Sequence, residues 1–428
     1  MKKHYKSLLP GNPYTLNGHE TGAPVIITYS FSTNSELGGR FNGAADGVLK
    51  TAVRRAVKEF EKVAAVKFVE VEPSADEMLS FFYNKRDDGY SWATYPVSTP
   101  DDPDSNNRVA INKHYGDYRP GSGGYQVILH EIGHALGLKH PFENPNKLAP
   151  ALDNTNNTLM SYTWVGKNKT ELQRFDRQAL QELYGDADEL RGVKVGWDSA
   201  SDTLRVIGTR KDDYLLGVNT GSKIFGQNGN DILAGRGDKD TLSGGDGWDT
   251  LRGWGGNDML SGGENGDRLN GGEGRDTLQG GSGNDVLVGD RLAKFGGAGD
   301  DRLFGGAGND RLSGGGRHDH LSGGEHNDTL LGNDGRDSLV GGRGNDYLVG
   351  GDGADRFIFS RGEGRDRIQD FSRREGDKID LSDLDLNRQE ILSRLEPFFD
   401  HKIFKHGNLE ILLLGHDDTV FIASDFIV

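Results

Sequence analysis

The sequence contains no cysteine, which excludes a disulfide framework and thiol chemistry. Basic residues are too few to balance the acidic ones: 50 Lys and Arg stand against 66 Asp and Glu, a formal net charge of −16. This balance argues against a nucleic-acid backbone as the main partner and favours cations. An extracellular protein without disulfides would need another means of stabilisation.

Long apolar runs are absent as well. No segment approaches the roughly 18 apolar residues of a membrane span, so we expect none. Behind the basic start MKKHYK, Leu8 and Leu9 are followed by Pro10 and Gly11 instead of the apolar stretch of a signal peptide. We therefore expect that the protein, if it leaves the cell, uses another export signal.

Glycine, in contrast, is abundant: 65 of 428 residues, concentrated in the second half. A chain of this length predicts two or more domains. In the first half, VIITYSF (25–31) and 67–71 are typical of strands, whereas 46–64, ILHEIGHALGL (128–138) and 171–184 have helical periodicity. The first half is therefore predicted to be a mixed α+β domain.

The second half has a period of nine residues. Seven units run without a gap from GQNGNDILA at residue 226, the segment GDRLAKF (289–295) interrupts them, and seven more run from GGAGDDRLF at 296 to GGDGADRFI at 350. Position 1 is Gly and position 6 is Asp in all 14 units, and position 8 is Leu in 13 and Phe once, at Phe357. A flexible linker would not keep this phase, so we expect an ordered repeat architecture.

Each unit combines a glycine turn with a short strand. Glycines permit tight turns in which carbonyl oxygens converge, and the Asp carboxylate adds the hard oxygen ligands that Ca²⁺ prefers. The pattern predicts a parallel β-helix with alternate units on opposite sheets and calcium between successive loops. Whether the interruption divides it into two stacks stays open at this point.

The repeat resembles the RTX nonapeptide GGxGxDxLx over residues 208–358, and units with Trp254, Asn265, Arg317 or His326 in place of glycine depart from it. The resemblance implies several structural calcium ions. Because the chain is acidic and poorly hydrophobic, we expect residues 208–428 to fold only when calcium is added. The expected calcium-binding residues are Asp231, Asp240, Asp249, Asp258, Asp267, Asp276, Asp285, Asp301, Asp310, Asp319, Asp328, Asp337, Asp346 and Asp355, with Gly244, Gly245, Gly271, Gly272, Gly280, Gly281, Gly305, Gly306, Gly341 and Gly342.

The stretch HEIGHALGLKH (130–140) has the spacing of a catalytic zinc site. His130 and His134, four residues apart, share one helix face, and Gly137 can end the helix so that the chain brings His140 to the same ion. Zinc would lower the pKa of a bound water and polarise a carbonyl, while Glu131 accepts the proton of the water and delivers it to the leaving amine. The alternative, an amphipathic helix with ordinary surface or core histidines, would not require this longer pattern.

Downstream, TLMSY (158–162) places Met160 where metzincin proteases have the methionine turn beneath their zinc. Together with HExxHxxGxxH it resembles serralysin-type secreted zinc metalloproteases over nearly the whole chain. The resemblance implies that Tyr162 ligates zinc at rest and swings away to stabilise the oxyanion. In that family DRQALQELYG (176–185) would be the closing helix of the catalytic domain.

The resemblance also implies a domain order. We expect a short N-terminal extension or reduced propeptide (1–24), a metzincin domain (25–190), an RTX β-roll (191–358) and a β cap (359–428). The final residues Asp425, Phe426, Ile427 and Val428 resemble the end of type I export substrates, although they could equally form a last edge strand. The segment 140–160 is compact for the family, and NRVAIN (107–112) is a candidate edge strand for pairing with a substrate peptide.

The leading hypothesis is thus a monomeric, secreted, extracellular zinc endopeptidase that uses type I secretion machinery, with one catalytic Zn²⁺ and several structural Ca²⁺ ions. Its partners would be protein or peptide substrates. The competing hypotheses are a calcium-dependent adhesive or surface-binding RTX protein with a vestigial zincin domain, and an RTX polysaccharide-modifying enzyme. The joint presence of Glu131, His140, Met160 and Tyr162 argues against both.

Overall fold

The structure is a computed structural model that describes residues 23–32, 42–73, 78–84, 90–93, 107–141, 148–149, 151–290, 298–398, 401–414 and 421–428. The chain divides into two compact units, residues 1–202 and 203–428. The expected N-terminal extension therefore lies almost wholly outside the described residues, as does most of the segment 289–295. Within the described residues, no helix is long and apolar enough to cross a membrane.

The first unit is built on one mixed sheet. Its strands lie in the order Val66–Glu70, Val25–Phe31, Leu79–Asn84, Asn107–Asn112 and Trp92–Ala93, and Asn42–Gly43 pairs with Leu79–Asn84. The first four run parallel, whereas Trp92–Ala93 runs antiparallel to its neighbour. Every residue of Val25–Phe31 is buried, which explains the uninterrupted apolar and small-residue run that predicted this strand.

The candidate edge strand Asn107–Asn112 is interior in the described sheet, contrary to the sequence interpretation. Ala110 pairs with Phe82 on one side and with Trp92 on the other. The short strand Trp92–Ala93 supplies the outer edge instead. Its two residues carry too weak a periodic signal for recognition from sequence.

Three helices pack with this sheet: α1 (Gly47–Glu61), α2 (Gly123–Ala135) and α3 (Arg174–Tyr184). The capping residues set their bounds. Asp46 accepts the backbone N–H groups of Val48 and Leu49, so α1 begins at Gly47. Ser122 Oγ accepts the Tyr125 N–H at 3.1 Å, so α2 begins five residues before the predicted start.

The helices and the inner sheet face enclose one apolar core, to which α1 contributes Leu49, Val53, Val57 and Phe60. The helical spacing in the sequence also placed Val48 on this face, but Val48 is exposed, and α1 ends three residues earlier than expected. The unit also contains the strand Lys194–Asp198 and the 3₁₀ turns Lys113–Tyr115 and Ala187–Leu190.

The second unit is a parallel β-roll in which successive strands alternate between two sheets, as the nine-residue period predicts. One sheet contains Thr203–Ile207, Ser222–Asn228, Thr241–Asp246, Met259–Glu264, Thr277–Ser282, Arg302–Ala307, His320–Glu325, Ser338–Arg343, Arg356–Ile358, Lys378–Asp380 and Phe426–Ile427. The other contains Tyr214–Leu216, Ile232–Arg236, Thr250–Gly255, Arg268–Glu273, Val286–Val288, Arg311–Arg317, Thr329–Gly335, Tyr347–Gly353, Arg365–Ile368 and Leu409–Leu413, extended by His401–His406 and Leu395–Phe398. The residues at position 8 are buried and form the core between the sheets.

The interruption at 289–295 leaves the roll undivided. Leu278 pairs with Leu303 in one sheet and Leu287 with Leu312 in the other, so the register passes across the inserted residues. The alternative of two separate stacks is therefore wrong.

The last residues of the chain form an edge strand. Phe426–Ile427 pairs parallel with Lys378–Asp380, and the buried Asp425 carboxylate accepts two hydrogen bonds from Arg373, at 2.8 and 2.6 Å. The short helix α4 (Arg388–Ser393) and the 3₁₀ turns Ser382–Leu384 and Ala423–Asp425 complete the unit. The two-part fold class, α+β followed by a parallel β-roll, is confirmed.

Candidate functional site

Three histidine rings converge at the C-terminal end of α2. The Nε2 atoms of His130 and His134 are 3.1 Å apart, those of His134 and His140 3.0 Å, and those of His140 and His130 3.3 Å. Among the described residues, these three form the group of His, Cys, Asp or Glu side chains that could hold a metal ion. The structure thus brings together the three expected metal ligands.

Backbone carbonyls orient two of these rings. His130 Nδ1 lies 2.7 Å from Leu159 O, and His134 Nδ1 lies 2.8 Å from Leu138 O. Since a carbonyl only accepts, each Nδ1 carries the proton and each Nε2 keeps its lone pair toward the centre. Burial, and next its two histidine neighbours, lower the pKa of His134 to about 2, which keeps this imidazole neutral.

His140 reaches the cluster because α2 stops abruptly. Gly137 has φ +93°, its N–H bonds to His134 O at 2.8 Å, and the Leu138 N–H bonds to Gly133 O at 2.9 Å. These two bonds are the Schellman arrangement, which requires a left-handed residue and so favours glycine. The chain then reverses and carries His140 back toward the helix.

Glu131 lies beside the cluster and is 6% exposed. The backbone N–H of Ala93, in the edge strand, donates to its carboxylate, which places the group between the helix and the sheet edge. Burial raises the pKa of Glu131 to about 8, so this carboxyl binds a proton far more readily than an ordinary glutamate.

Met160 lies beneath the cluster, buried against α2. A Cβ added to Gly133 would lie 2.9 Å from the Met160 sulfur, so Gly133 is the residue that lets the thioether approach the helix between the histidines. The Tyr162 ring packs near His140, with centroids 4.5 Å apart, and is stacked with His130 at 5.9 Å. Its side chain is 63% exposed and faces the open side of the cluster.

Asp176 is a site residue that sequence reasoning missed. Asp176 lies in α3 and is fully buried. Its carboxylate accepts hydrogen bonds from Thr158 Oγ1 at 2.5 Å, from the Leu159 N–H at 2.9 Å and from the Gln173 N–H at 2.9 Å. It therefore holds the turn whose Leu159 carbonyl orients His130. The signal was present as the acidic residue of DRQALQELYG, but a helix-capping role is its more ordinary meaning.

The donor set fits zinc. Nitrogen ligands held at about 2.0–2.1 Å by one tetrahedral Zn²⁺ lie about 3.3 Å apart, close to the separations of the three Nε2 atoms. All three donors are imidazole nitrogens, two of them fixed as neutral tautomers, which is the ligand type that Zn²⁺ prefers with an open fourth position. Residues 142–147, part of the segment expected to form the lower rim of the cleft, lie outside the described residues.

The repeat aspartates form two ladders along the roll. In each, the backbone N–H of one Asp donates to Oδ1 of the Asp two units later, as in Asp231 to Asp249 and Asp249 to Asp267, both at 2.7 Å. The other oxygen, Oδ2, is buried and has no hydrogen-bond partner in all 14 repeat aspartates of the described chain, from Asp231 to Asp355. Such a row of buried, unsatisfied carboxylate oxygens favours the binding of cations.

The repeat glycines leave space around these oxygens. A Cβ on Gly244 would overlap Asp249 Oδ2 and Gly262 O, and Gly245, at φ +119°, would overlap Gln227 O. Carboxylate and carbonyl oxygens therefore converge where only glycine fits, as Ca²⁺ requires. The same overlaps recur at the other glycines expected to contribute: Gly271, Gly272, Gly280, Gly281, Gly305, Gly306, Gly341 and Gly342.

The units without a consensus glycine keep the turn geometry. Trp254, Asn265, Arg317 and His326 have φ of 80°, 74°, 81° and 83°. These side chains are forced into a conformation that glycine adopts freely, so the cost of the departure is backbone strain.

The ladders also extend beyond the 14 units. Asp213 joins one ladder at its start through Asp231, and Asp366 and Asp377 accept from Asp346 and Asp355 at the end. Asp366 Oδ2 is again unsatisfied, whereas the Ser372 N–H occupies Asp377 Oδ2. These three aspartates could have been recognised in the sequence, because each is followed two residues later by Leu or Ile, as in the repeats. This part of the pattern persists where the repeat glycines are missing.

Comparisons with known proteins agree with both the histidine site of the first unit and the aspartate ladders of the second. Residues 24–185 match the matrixin family, and residues 225–260, 261–291, 295–321, 322–357 and 331–368 match the RTX calcium-binding nonapeptide repeat. The chain is similar to metalloprotease AprA of Pseudomonas entomophila, 29% identical over 38% of this chain and 39% of that protein. It is also similar to serralysins of a Photorhabdus species (28%, covering 46% of each chain) and of Proteus mirabilis (27%, covering 40% of this chain and 42% of that protein). The chain thus matches less than half the length of these curated relatives.

Proposed function

Residues 24–185 are a matrixin domain and residues 225–368 carry RTX calcium-binding repeats, and from this premise we propose that the protein is a zinc-dependent endopeptidase acting on extracellular proteins. The observation that carries the proposal is the convergence of three histidine Nε2 atoms, 3.0 to 3.3 Å apart, beside the buried carboxyl of Glu131. Adhesion and polysaccharide modification have no use for this arrangement.

His130, His134 and His140 would hold the zinc. Zinc at this position supplies a Lewis acid that polarises the scissile carbonyl and lowers the pKa of water. The Leu159 and Leu138 carbonyls keep His130 and His134 in the required tautomer. Met160 supports the rings from below without contacting the substrate.

Glu131 is the general base. Its raised pKa matches a group that takes a proton from the attacking water near neutral pH and then gives it to the amine nitrogen of the leaving peptide. The Ala93 N–H fixes the carboxylate at the sheet edge, next to the strand against which an extended substrate can pair. That pairing role belongs to Trp92–Ala93.

Tyr162 assists the same step. Its ring rests against His130 and His140 with its face largely exposed, so the phenol can swing over the site and donate to the oxygen that becomes negative as the carbonyl is attacked. At rest, the same phenol would ligate the zinc.

The repeat aspartates would bind several structural calcium ions, and calcium would fold the roll after export. We propose type I secretion to the extracellular space, a monomeric state, and a division into a metzincin domain (25–190), a roll (191–358) and a cap (359–428). The terminal residues 425–428 would act as an export signal while the chain is unfolded.

The test compares wild type with Glu131→Gln. We expect both proteins to contain one zinc by metal analysis and only wild type to hydrolyse casein. Glu171→Gln, an exposed glutamate paired with Arg177, is the matched control and should retain activity. Casein hydrolysis by the zinc-loaded Glu131→Gln protein at the wild-type rate would overturn the assignment.

A further inference from the structure

A cavity of about 490 Å³ opens beside the histidine cluster and extends along α2 away from His140. His130 and Glu131 lie at one end, and Tyr90, Tyr115 and Trp164 contribute aromatic walls. These three aromatic side chains are 72%, 40% and 53% exposed, which is unusual for apolar groups of this size. Exposed aromatic rings around a cavity at a reaction centre are suited to enclosing another flat ring.

Gln126 is one of the polar residues that line the same cavity. It is only 3% exposed, and its Oε1 accepts the Lys169 N–H at 2.8 Å. Because Oε1 accepts this hydrogen bond, the orientation of the carboxamide is fixed, and its NH₂ group, Nε2, is the end left to donate to a ligand. Among the hydrogen bonds between described residues, none is made by Gln126 Nε2.

The position of Gln126 on α2 sets its depth. It precedes His130 by one helical turn, and at 1.5 Å per residue it lies about 6 Å further along the axis. Val127 lies between them on the cavity wall. This depth is close to the length of a phenol side chain measured from its Cα, so a ring anchored near Glu131 would pass Val127 and end at Gln126.

We propose that this cavity selects tyrosine at a substrate position flanking the scissile bond, with the Gln126 Nε2 group donating a hydrogen bond to the phenol oxygen. The proposal rests on the proposed peptidase function and names the side chain that the site prefers. Tyr90, Tyr115 and Trp164 surround the ring, and Gln126 recognises its hydroxyl group by this hydrogen bond.

Other side chains fit less well. Leucine or phenylalanine would fill the apolar part but leave the Gln126 donor without a partner, which is costly for a residue that is only 3% exposed. A glutamate side chain would approach Glu131, and no Lys or Arg is among the described residues that line the cavity. The combination of an aromatic wall and one buried donor therefore matches tyrosine.

The first experiment needs no variant. Four peptides that differ at one position, Tyr, Phe, Leu or Glu, are incubated with the zinc- and calcium-loaded full chain, and mass spectrometry identifies the cleaved bond. We expect kcat/KM for the Tyr peptide to exceed that for the Phe peptide by about tenfold, with Tyr always on the same side of the cut. Equal values for Tyr and Phe, or a preference for Leu or Glu, overturn the proposal.

The second experiment assigns the preference to Gln126. In Gln126→Met, the ratio of Tyr to Phe cleavage should fall to about one while cleavage of the Phe peptide persists. Gln178→Met, an exposed glutamine on α3, is the matched control and should keep the wild-type ratio. A wild-type ratio in Gln126→Met overturns the role of Gln126.

A binding measurement separates this proposal from the peptidase assignment. If the zinc-loaded chain cleaves none of the peptides, the proposed function fails, and fluorescence anisotropy with the same labelled peptides and the Glu131→Gln protein then decides the present proposal. A Kd about tenfold lower for the Tyr peptide than for the Phe peptide supports it, and equal Kd values overturn it.

Discussion

Removing calcium at neutral pH should unfold the β-roll, and lowering the pH should partly replace calcium. The perturbation acts on the aspartate ladders, whose Oδ2 oxygens are buried without a partner among the described residues. Without a cation, each carboxyl must either carry a buried charge or take up a proton. Both choices cost free energy at pH 7.

The free-energy cost of removing calcium follows from the shifted pKa values of the aspartates. Burial raises the pKa of Asp240, Asp276 and Asp319 from 3.8 to about 8 in the calcium-free fold. With about 1.4 kcal/mol per pKa unit, holding one such carboxyl protonated at pH 7 costs roughly 4 kcal/mol relative to the unfolded chain. Three together cost about 12 kcal/mol, comparable to the roughly 5–15 kcal/mol by which whole domains are stable.

The stability of the calcium-free roll depends on pH in the opposite direction to that expected for a salt-bridged aspartate. Because the folded-state pKa is the higher one, the folded chain binds more protons between pH 3.8 and about 8, and stability falls as the pH rises through this window. At pH 4.5 the cost per carboxyl drops to about 1 kcal/mol. The calcium-free roll should therefore be more structured at pH 4.5 than at pH 7.5.

Hydrogen exchange measured by mass spectrometry on the full chain can follow peptides of residues 203–428 separately. We expect fast exchange with a calcium chelator at pH 7.5, protection with millimolar calcium, and partial protection with chelator at pH 4.5, after correction for the intrinsic pH dependence of exchange. Asp276→Asn keeps the Oδ1 acceptor of its ladder and should weaken the calcium response, whereas Asp352→Asn, exposed on the surface, should not. Identical protection with chelator and with calcium at pH 7.5 would show that the roll folds without calcium.

Three substitutions test the packing of the site and the roll. Gly133→Ala should lower the Tm of the matrixin domain by a destabilisation of about 1–3 kcal/mol, because its Cβ meets the Met160 sulfur at 2.9 Å, while Gly123→Ala, in open space, should leave Tm unchanged in calorimetry. Asp176→Asn should cost about 2 kcal/mol in urea unfolding and weaken zinc binding by competition assay, since it removes a buried acceptor; an unchanged zinc affinity would contradict its positioning role. Trp254→Gly should raise the stability of the calcium-loaded roll by about 1 kcal/mol by relieving a φ of 80°, and a lower denaturation midpoint would argue against strain there.

Much of the fold could be predicted because its periodicities are strong. The nine-residue repeat predicted the two sheets and the inward position of the residues at position 8, whereas the hydrogen-bonded ladders of aspartates were found only in the structure. The continuity of the roll across residue 289 could not be predicted, since it depends on the pairing of Leu278 with Leu303 and Leu287 with Leu312, which are distant in sequence. The strand Trp92–Ala93 is too short to have a period at all.

The candidate site also contains residues that could be predicted from the sequence and residues that could not. His130, His134 and His140 could be predicted because helix geometry and Gly137 fix their convergence within eleven residues. Asp176 and Gln126 could not, because each acts through a contact between separate elements: Asp176 with the turn at Thr158, and Gln126 with Lys169 and the cavity. The acidic residue of DRQALQELYG is equally typical of a helix cap, and Gln126 occupies an ordinary helix position, so neither contact could be identified from the sequence.

We expect one zinc ion to bind where the three imidazoles converge. Anomalous X-ray diffraction at the zinc edge, on crystals of the purified calcium-loaded protein, tests it most directly. We predict one strong zinc peak within bonding distance of the Nε2 atoms of His130, His134 and His140, close to Glu131. A zinc peak elsewhere, or none at these nitrogens in protein that cleaves peptides, would contradict the account.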